Sequence, residues 1–507
     1  MKSERILIIG GGIGGLFTGA LLAKEGYRVT VLEKNGTIGG GLQTFVRQGV
    51  TFETGMHVLG GLRKGGNVWK ICNYLGILSK IRLRNVDDDC IDSVHYLKTG
   101  DEYHLPRGRE SMVAYLSNCF PHERENIIAY FDALYRMADE VDFFFLRRGK
   151  DELFGHSDAF FMPADEMIAQ FISDEKLRDL LGYMNPMYGG VKGHTPAYIH
   201  ALINVLYIDG PSRFIDGSQQ MATALSDVIT SAGGSVLTHK EVVRVNVSDA
   251  RVQSVVTRDG AIFSADIVVS DIHPASLIPL CSDGSFTKAY CNRIASAPNT
   301  YSAFTLYIII KPLTFRYINH TCYYQDDYGM VWDHGVYNED SWPRGFMYMT
   351  PPETPDTGKP QWATKVIVNC IMPFSAVKRW ENTTTGKRGD DYRAWKKARE
   401  AAILERLERL HPGFHEAVDR VYSSTPLTIR DYYHVKDGAL YGLQKDCQNM
   451  MLSQVPIYTR VKNLYLTGQN INLHGICGVP LTAVNTVEAI IGEQVLVEKI
   501  NQAADEA

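Results

Sequence analysis

The first 33 residues contain the pattern that most restricts the fold of this chain. Residues 6–9 (ILII) form a short apolar run, rich in β-branched side chains, that is typical of a buried parallel strand. The run leads directly into residues 10–15 (GGGIGG), which fit the pattern G-x-G-x-x-G. Apolar residues then recur at helical spacing over residues 16–26, and a second apolar strand ends at Glu33. This order predicts a strand–turn–helix–strand unit with an acidic residue at its end.

Each part of this unit suits one portion of a bound dinucleotide. Gly10 permits a tight turn, Gly12 allows a pyrophosphate to approach the backbone, and Gly15 lets the helix pack closely on the strand. The N–H groups at the start of the helix are left free for phosphate oxygens. Glu33 can accept hydrogen bonds from both ribose hydroxyls, and its charge would repel a 2′-phosphate. The unit therefore predicts a site for FAD or NAD rather than for NADP.

A second glycine pair distinguishes between these two cofactors. Gly39-Gly40 begins six residues beyond Glu33, and Thr54-Gly55 follows. An NAD dehydrogenase has no need of a second glycine pair at this place. A flavoprotein does, because its chain must return past the pyrophosphate toward the ribityl chain and the flavin ring. The sequence therefore predicts FAD as the cofactor.

With these motifs, the sequence resembles the flavin-dependent amine oxidase and phytoene desaturase superfamily. Residues 49–60 (GVTFETGMHVLG) look most like the retinol saturase and carotenoid isomerase branch. The end of the chain is similar to the closing segment of this superfamily, with a strand predicted over residues 461–468 and a helix over residues 482–498. The chain departs from the family pattern at Gly41, where many relatives have arginine, and at Asn470, where the retinol saturase pattern has an acid.

The resemblance implies an α/β fold with two domains. One is a Rossmann-like FAD-binding domain (glutathione-reductase-like), and the other is a discontinuous mixed α+β substrate domain. We expect the FAD-binding domain to comprise residues 1–105, 212–300 and 415–500, the substrate domain to comprise residues 106–211 and 301–414, and residues 501–507 to form a flexible tail. Within the substrate domain, residues 183–190 (YMNPMYGG) are expected to line an apolar tunnel.

The resemblance also implies which residues bind the cofactor and which act in catalysis. Val243 would offer its backbone to the adenine, and the dipole of the last helix would stabilise the reduced flavin. His57 matches a histidine of the retinol saturase pattern, and His474 lies in the turn before that helix. Either could donate a proton, as the saturation of a double bond requires, and a hydrogen-bonded structural histidine is the alternative for both. The expected cofactor-binding residues are Gly10, Gly12, Gly14, Gly15, Glu33, Lys34, Gly39, Gly40, Gly41, Thr54, Gly55, Val243, Gly468, Gln469, Gly478 and Val479.

Composition argues against several other classes of function. The net charge is −5 and no run of Lys or Arg exceeds two residues, which argues against nucleic acid as a partner. The nine cysteines include no C-x-x-C pair, so we expect free thiols in a reducing compartment and no metal site. No segment has about 18 consecutive apolar residues, and a strand begins close to the N-terminus, so we expect a cytoplasmic protein. Peripheral contact with a membrane stays open, because an apolar substrate would have to be collected from somewhere.

The chain has one dinucleotide motif, and this limits its redox chemistry. Reductases that hold NAD(P)H beside FAD carry a second unit of this kind, so the electron donor or acceptor here is something else and is unknown, as is the oligomeric state. The leading hypothesis is an FAD-dependent oxidoreductase that saturates, desaturates or isomerises carbon–carbon double bonds of an apolar polyene of retinoid or carotenoid type. The alternative is a flavin amine oxidase acting on a small or lipophilic amine. A flavin-binding protein that has lost its chemistry is the third possibility.

Overall fold

A computed structural model describes residues 3–55, 58–149, 156–333, 336–450 and 454–507. Within these residues the chain forms nineteen β-strands. They are β1 (Arg5–Ile9), β2 (Arg28–Leu32), β3 (Thr44–Arg47), β4 (Val50–Glu53), β5 (Leu83–Asn85), β6 (Asp92–Tyr96), β7 (Asp101–Leu105), β8 (Ser212–Phe214), β9 (Ser235–Leu237), β10 (Val242–Ser248), β11 (Arg251–Thr257), β12 (Ile262–Phe263), β13 (Ile267–Ser270), β14 (Ser302–Ile310), β15 (Thr321–Gln325), β16 (Gly345–Met349), β17 (Lys365–Met372), β18 (Val418–Ser424) and β19 (Leu464–Leu466).

The same described ranges contain fifteen α-helices. None of these helices combines the length and the apolar character needed to cross a membrane. They are α1 (Ile13–Lys24), α2 (Asn67–Leu75), α3 (Arg109–Cys119), α4 (Arg124–Asp139), α5 (Ala164–Phe171), α6 (Glu175–Leu181), α7 (Ala197–Ile208), α8 (Gln219–Ser231), α9 (Pro274–Leu277), α10 (Lys288–Ser296), α11 (Asp390–Leu410), α12 (Phe414–Ala417), α13 (Pro426–Tyr433), α14 (Gly475–Ile491) and α15 (Val495–Asp505).

A five-stranded parallel sheet forms the centre of the first half of the fold. Its strand order is β19-β13-β1-β2-β9, and every neighbouring pair is parallel. The central strand is buried on both faces, as a parallel sheet requires. Ile6 and Ile8 pack with α1, whereas Leu7 and Ile9 pack with the small antiparallel sheet β10-β11-β12. This arrangement confirms the predicted Rossmann-like unit and its strand–turn–helix–strand order.

A seven-stranded mixed sheet forms the second half. Its order is β18-β14-β17-β16-β15-β6-β7, and only β15 and β6 pair in parallel among these neighbours. The sheet includes β6, β7 and β18, which lie in segments that we predicted to belong to the FAD-binding domain. The reason is strand pairing: Thr321 to Gln325 form the β15 partner of Asp92 to Tyr96. The domain boundaries stay a prediction.

The chain ends in two helices, and the predicted flexible tail is wrong. Helix α14 begins at Gly475, seven residues before the predicted start, and accommodates Pro480. Helix α15 continues to Asp505 because Leu496, Val497 and Ile500 are fully buried. The side chain of Asn73 on α2 also donates to the carbonyl of Ala503 at 2.8 Å. Residues 501–505 are therefore held by α2 rather than frayed.

Candidate functional site

The glycine-rich turn joins β1 to α1 with no room for a side chain. Gly10 has a φ of +105°, which glycine adopts without strain. Its N–H donates to the carbonyl of Leu32 at 2.9 Å. A Cβ atom on Gly15 would overlap the carbonyl oxygen of Gly10. Helix α1 therefore begins directly at the carboxyl edge of the sheet, where its first N–H groups are free of partners within the helix.

Glycines from three distant segments meet at this turn. A Cβ atom on Gly40 would lie 3.2 Å from the Cα of Gly12, so these two backbones pass in contact. A Cβ atom on Gly14 would lie 2.8 Å from the Cα of Gly468, which directly follows Thr467 and β19. The structure thus brings together predicted cofactor-binding glycines from the beginning and the end of the chain. We call this group, Gly12, Gly14, Gly40 and Gly468, the glycine cradle.

Glu33 is buried at the end of β2, and both of its carboxylate oxygens are engaged. One oxygen accepts the N–H of Gly11 at 2.9 Å, and the other accepts the N–H of Asn35 at 2.8 Å. The side chain is 6% exposed. These two bonds fix the carboxylate beside the glycine turn, where the sequence predicted a ribose.

The loop that leads from β9 to β10 passes beside Glu33. The N–H of Glu33 donates to the carbonyl of Leu237, and the N–H of Lys240 donates to the carbonyl of Glu33, both at 2.8 Å. Lys34 lies on the same side, and its ammonium donates to the carbonyl of Asp431 at 3.2 Å. Burial lowers the pKa of Lys34 although neighbouring carboxylates oppose this shift. Lys34, predicted to bind the cofactor, therefore lies next to Glu33, and the adenine contact of Val243 stays a prediction.

The second glycine pair, Gly39-Gly40, and the residue after it, Gly41, lie close to the glycine-rich turn. Gly39 donates its N–H to the carbonyl of Gly11 at 2.7 Å. No atom outside its own neighbours lies within 4 Å of a Cβ atom built on Gly41, so this residue faces open space. Arginine, which many relatives carry here, would have room for its side chain.

Thr54 and Gly55 lie beside Gly41, and both contact a tyrosine from the C-terminal part of the chain. The hydroxyl of Tyr433 donates to Oγ1 of Thr54 at 2.9 Å. A Cβ atom on Gly55 would lie 3.0 Å from the same hydroxyl and 3.6 Å from the Cα of Gly41. The two predicted residues therefore lie next to Gly41, close to the glycine-rich turn.

Asp271 lies in the glycine cradle, and sequence reasoning missed it. Its carboxylate fills the space where Cβ atoms on Gly12, Gly14 or Gly468 would lie. Burial raises the pKa of this carboxyl to about 7; a hydrogen bond from the backbone N–H of Gly15 opposes the shift and the charge of Glu33 adds to it. The available signal was its place directly after β13, because the carboxyl ends of adjacent parallel strands meet at one edge.

The closing segment uses its polar side chains for structure as well as for the site. Asn470 is buried, and its Oδ1 accepts the N–H of Leu443 at 3.1 Å, so it ties two loops together. Gln469 is half-buried, whereas Gly478 and Val479 are buried in the first turns of α14. A Cβ atom on Gly478 would overlap the side chain of Leu473. The glycine thus allows the turn before α14 to pack against the helix.

His474 precedes α14 and is 4% exposed. Neither ring nitrogen makes a hydrogen bond within the described residues. Its pKa is lowered to about 3, mainly by burial and in part by the charge of Lys445, whereas the backbone of Tyr188 opposes the shift. The imidazole is therefore neutral at neutral pH. The other histidine predicted to act in catalysis, His57, lies outside the described residues and stays a prediction.

Tyr441, the backbone of Tyr188 and Lys445 lie close to His474. The ring of Tyr441 lies 4.6 Å from the imidazole, and its hydroxyl donates to the carbonyl of Pro186 at 3.0 Å. Lys445 is also buried, which lowers its pKa to about 8. The predicted tunnel segment supplies Tyr183, whose hydroxyl donates to the carboxyl of Asp92 at 2.9 Å. Sequence reasoning did not predict this cluster, because its members come from several separate segments.

The profile of one protein family matches residues 13–491, which includes both ends of the site just described. The family is described as flavin containing amine oxidoreductase. The chain belongs to this family. The match confirms the predicted superfamily and establishes flavin as the cofactor class of this flavoprotein oxidoreductase.

Relatives of this flavoprotein include enzymes named for reactions on polyenes. The all-trans-retinol 13,14-reductase of Rattus norvegicus is 26% identical over 527 residues, covering 96% of this chain and 85% of the relative. The chloroplastic prolycopene isomerase 2 of an Oncidium hybrid cultivar is 25% identical over 496 residues, covering 92% and 79%. The crystal structure of an oxidoreductase from Methanosarcina mazei superposes with a TM-score of 0.64 at 18% identity, covering 96% and 100%. This last likeness supports the fold.

Proposed function

We propose that this flavoprotein binds FAD in the groove between the glycine cradle and Glu33, and that it saturates, desaturates or isomerises carbon–carbon double bonds of an apolar polyene. The observation that carries the proposal is the meeting of Gly12, Gly40 and Gly468 at the start of α1. A dinucleotide whose pyrophosphate approaches the backbone at the start of a helix requires glycines at such a place.

The groove fits the adenosine half of FAD. Glu33 is held by backbone N–H groups and keeps acceptor capacity for ribose hydroxyls, since each carboxylate oxygen has two lone pairs. We propose that the backbone at Val243, which lies at a register shift between β10 and β11, contacts the adenine. A flavin mononucleotide would leave these groups without a partner, which favours FAD.

The pyrophosphate half of FAD fits only if the carboxylate of Asp271 rotates or is protonated. The N-terminus of α1 is a site for an anion, and the carboxylate of Asp271 already accepts the N–H of Gly15 there. A pyrophosphate at this place requires that carboxylate to rotate away or to be protonated. The pKa of the Asp271 carboxyl is raised to about 7, so this group can be protonated at neutral pH.

Bound flavin supplies hydride transfer to or from carbon. The chain contributes a dry surrounding for that step, because Tyr188 and His474 are buried and the half-buried ring of Tyr441 lies against the imidazole of His474. The neutral imidazole of His474 carries one N–H beside the backbone of Tyr188, and we propose that it holds that proton near a substrate carbon. We propose the same role for His57.

The polyene assignment is supported by the two relatives that are named for reactions at polyene double bonds. Amine oxidation is the second candidate, and one specific feature favours it. Lys445 is a buried lysine whose charge acts on His474, and Tyr441 lies against the same imidazole. A lysine and aromatic rings near the flavin are what we expect of an amine oxidase site.

Flavin absorbance distinguishes these two reactions. The oxidised holoprotein is mixed, without oxygen, with a polyene alcohol, a carotene or a set of amines. If the enzyme desaturates, its flavin absorbance is expected to bleach with a polyene. Dithionite-reduced holoprotein is expected to regain flavin absorbance with a polyene if it saturates. A change of polyene isomer without net bleaching, detected by chromatography, identifies isomerisation. Bleaching by amines alone would contradict the polyene proposal.

The same experiment includes two controls. Free FAD at equal concentration, with each substrate, measures chemistry that does not need the protein. The His474→Gln variant, if it retains flavin, is expected to lose turnover of the substrate that reacts. Full turnover in this variant would remove His474 from the mechanism and leave His57 as the candidate.

The Glu33→Ala variant is expected to bind FAD about 5- to 150-fold more weakly. The substitution leaves the N–H groups of Gly11 and Asn35 and the ribose hydroxyls without an acceptor, at a cost of about 1–3 kcal/mol. The measurement is FAD affinity by fluorescence titration of the apoprotein. The control is Asp266→Ala. Asp266 directly precedes β13 of the same sheet, and its carboxylate accepts the N–H of Arg5 on the surface. Equal FAD affinity in wild type and Glu33→Ala would show that the ribose lies elsewhere.

A further inference from the structure

A cysteine and two histidines lie together at the edge of the seven-stranded sheet, away from the glycine cradle. Cys90 precedes β6, His104 lies on β7, and His320 immediately precedes β15. Their ligand atoms, one sulfur and two ring nitrogens, all lie within 4.8 Å of one another. Their spacing along the chain does not indicate this group, because strand pairing brings the three residues together.

The distances suit a tetrahedral metal ion. The Sγ of Cys90 lies 3.5 Å from Nδ1 of His104. Zinc–sulfur and zinc–nitrogen bonds of about 2.3 and 2.05 Å at the tetrahedral angle separate sulfur and nitrogen by roughly 3.6 Å. The pair therefore already has the spacing of two ligands on one ion, and His320 needs only a small movement to complete a third bond.

His104 is oriented as a metal ligand would be. Its Nε2 lies 2.8 Å from a carboxylate oxygen of Glu102, while its Nδ1 points to Cys90. Metal-bound histidines usually donate their other ring N–H to a carboxylate, which fixes the tautomer and makes the binding nitrogen more basic. Glu102 also lies 3.4 Å from Nε2 of His95, so it is held between two imidazoles.

Charged groups of both signs lie near the three residues. The carboxylates of Asp92, Asp89 and Asp87 act on Cys90, and their negative charges favour a cation at the sulfur. The guanidinium of Arg213 acts on His320 and opposes a cation there. The spacing of the three ligand atoms and the carboxylate behind His104 are the features that favour a metal ion.

We propose that Cys90, His104 and His320 bind one Zn²⁺ ion, with water in the fourth position. Sulfur and imidazole nitrogen are the ligands that zinc prefers. The side chain of His104 is 51% exposed, which leaves the fourth position open to solvent. The S–H proton of Cys90 passes to solvent as the sulfur–zinc bond forms. The ion fastens the β6–β7 hairpin to β15, and this role is independent of the proposed flavin chemistry.

The test uses holoprotein that has been treated with a chelator and dialysed, and then titrated with Zn²⁺ by calorimetry. We expect one equivalent to bind, with affinity reduced more than about 100-fold in Cys90→Ser and His320→Asn. Glu102→Gln is expected to reduce the affinity by about 10- to 100-fold, as loss of a carboxylate behind a metal-bound histidine does. Titration with Co²⁺ is expected to give a sulfur-to-cobalt absorption band, which Cys90→Ser abolishes.

Cys119→Ser is the matched control, because Cys119 is an exposed cysteine on α3 outside the group. It is expected to bind Zn²⁺ as wild type does. Absence of stoichiometric binding, unchanged affinity in Cys90→Ser and His320→Asn, or equal loss in Cys119→Ser would each overturn the proposal. Flavin retention and thermal unfolding confirm that each variant is folded, so weak binding cannot be attributed to unfolding.

Discussion

Substituting alanine for Gly15 is expected to yield a protein that carries almost no flavin. The new Cβ atom would overlap the carbonyl oxygen of Gly10, a backbone atom that cannot rotate away. The turn between β1 and α1 must then open, and the start of α1 moves off the cradle. Insertion of a methyl group into a packed site costs about 1–3 kcal/mol, so we expect flavin affinity to fall by up to ~150-fold. Flavin content per mole of purified protein measures this effect.

Gly26→Ala is the control for this variant. Gly26 lies just beyond the other end of α1, with a φ of +89° and nothing within 4 Å of an added Cβ atom. Alanine there adds backbone strain of about 1–2 kcal/mol without a clash, so flavin content is expected to remain that of wild type. A Gly15→Ala protein with full flavin content would show that the cofactor does not depend on this turn.

The His200→Gln variant is expected to be less sensitive to acid than wild type. His200 is completely buried, and burial lowers its pKa to about 3. Between pH 6.5 and pH 3 the unfolded chain binds a proton at this residue that the folded protein does not. The free energy of unfolding of wild type therefore falls, relative to the variant, by about 1.4 kcal/mol for each pH unit below 6.5. Chemical denaturation of both proteins at several pH values measures the difference.

Glutamine is the appropriate replacement because it preserves polar contacts. The ring nitrogens of His200 bond to the hydroxyls of Tyr130 and Tyr188 at 2.7 and 2.9 Å, and an amide can pair with both. Buried acids such as Asp92, whose pKa is raised to about 7, change stability in the opposite sense, but they are common to both proteins and cancel. His122→Gln, at an exposed histidine, controls for the substitution itself. Parallel pH curves for wild type and His200→Gln would contradict the prediction.

The parts of the fold that the sequence predicts well are those determined by local backbone constraints. The turn at Gly10–Gly15 and the buried Glu33 follow from a short pattern in which each residue type has one physical reason. Asp271 and the group of Cys90, His104 and His320 do not follow from a local pattern, because they depend on which strands are neighbours in the sheets. The tail prediction failed for the same reason: residues 501–505 look polar alone and are ordered by the burial of Leu496 and Ile500.

The interleaving of the two large sheets has a consequence for how the chain is made. The parallel sheet takes β1 and β2 from the beginning and β19 from the last fifty residues, while the other sheet takes strands from residues 92 to 424. The parallel sheet is therefore incomplete until β19 has left the ribosome. Pairing between such remote strands is slow, and unpaired edges invite association between chains. Assembly of the parallel sheet must wait for this closing strand, with the edge of β13 exposed until β19 arrives.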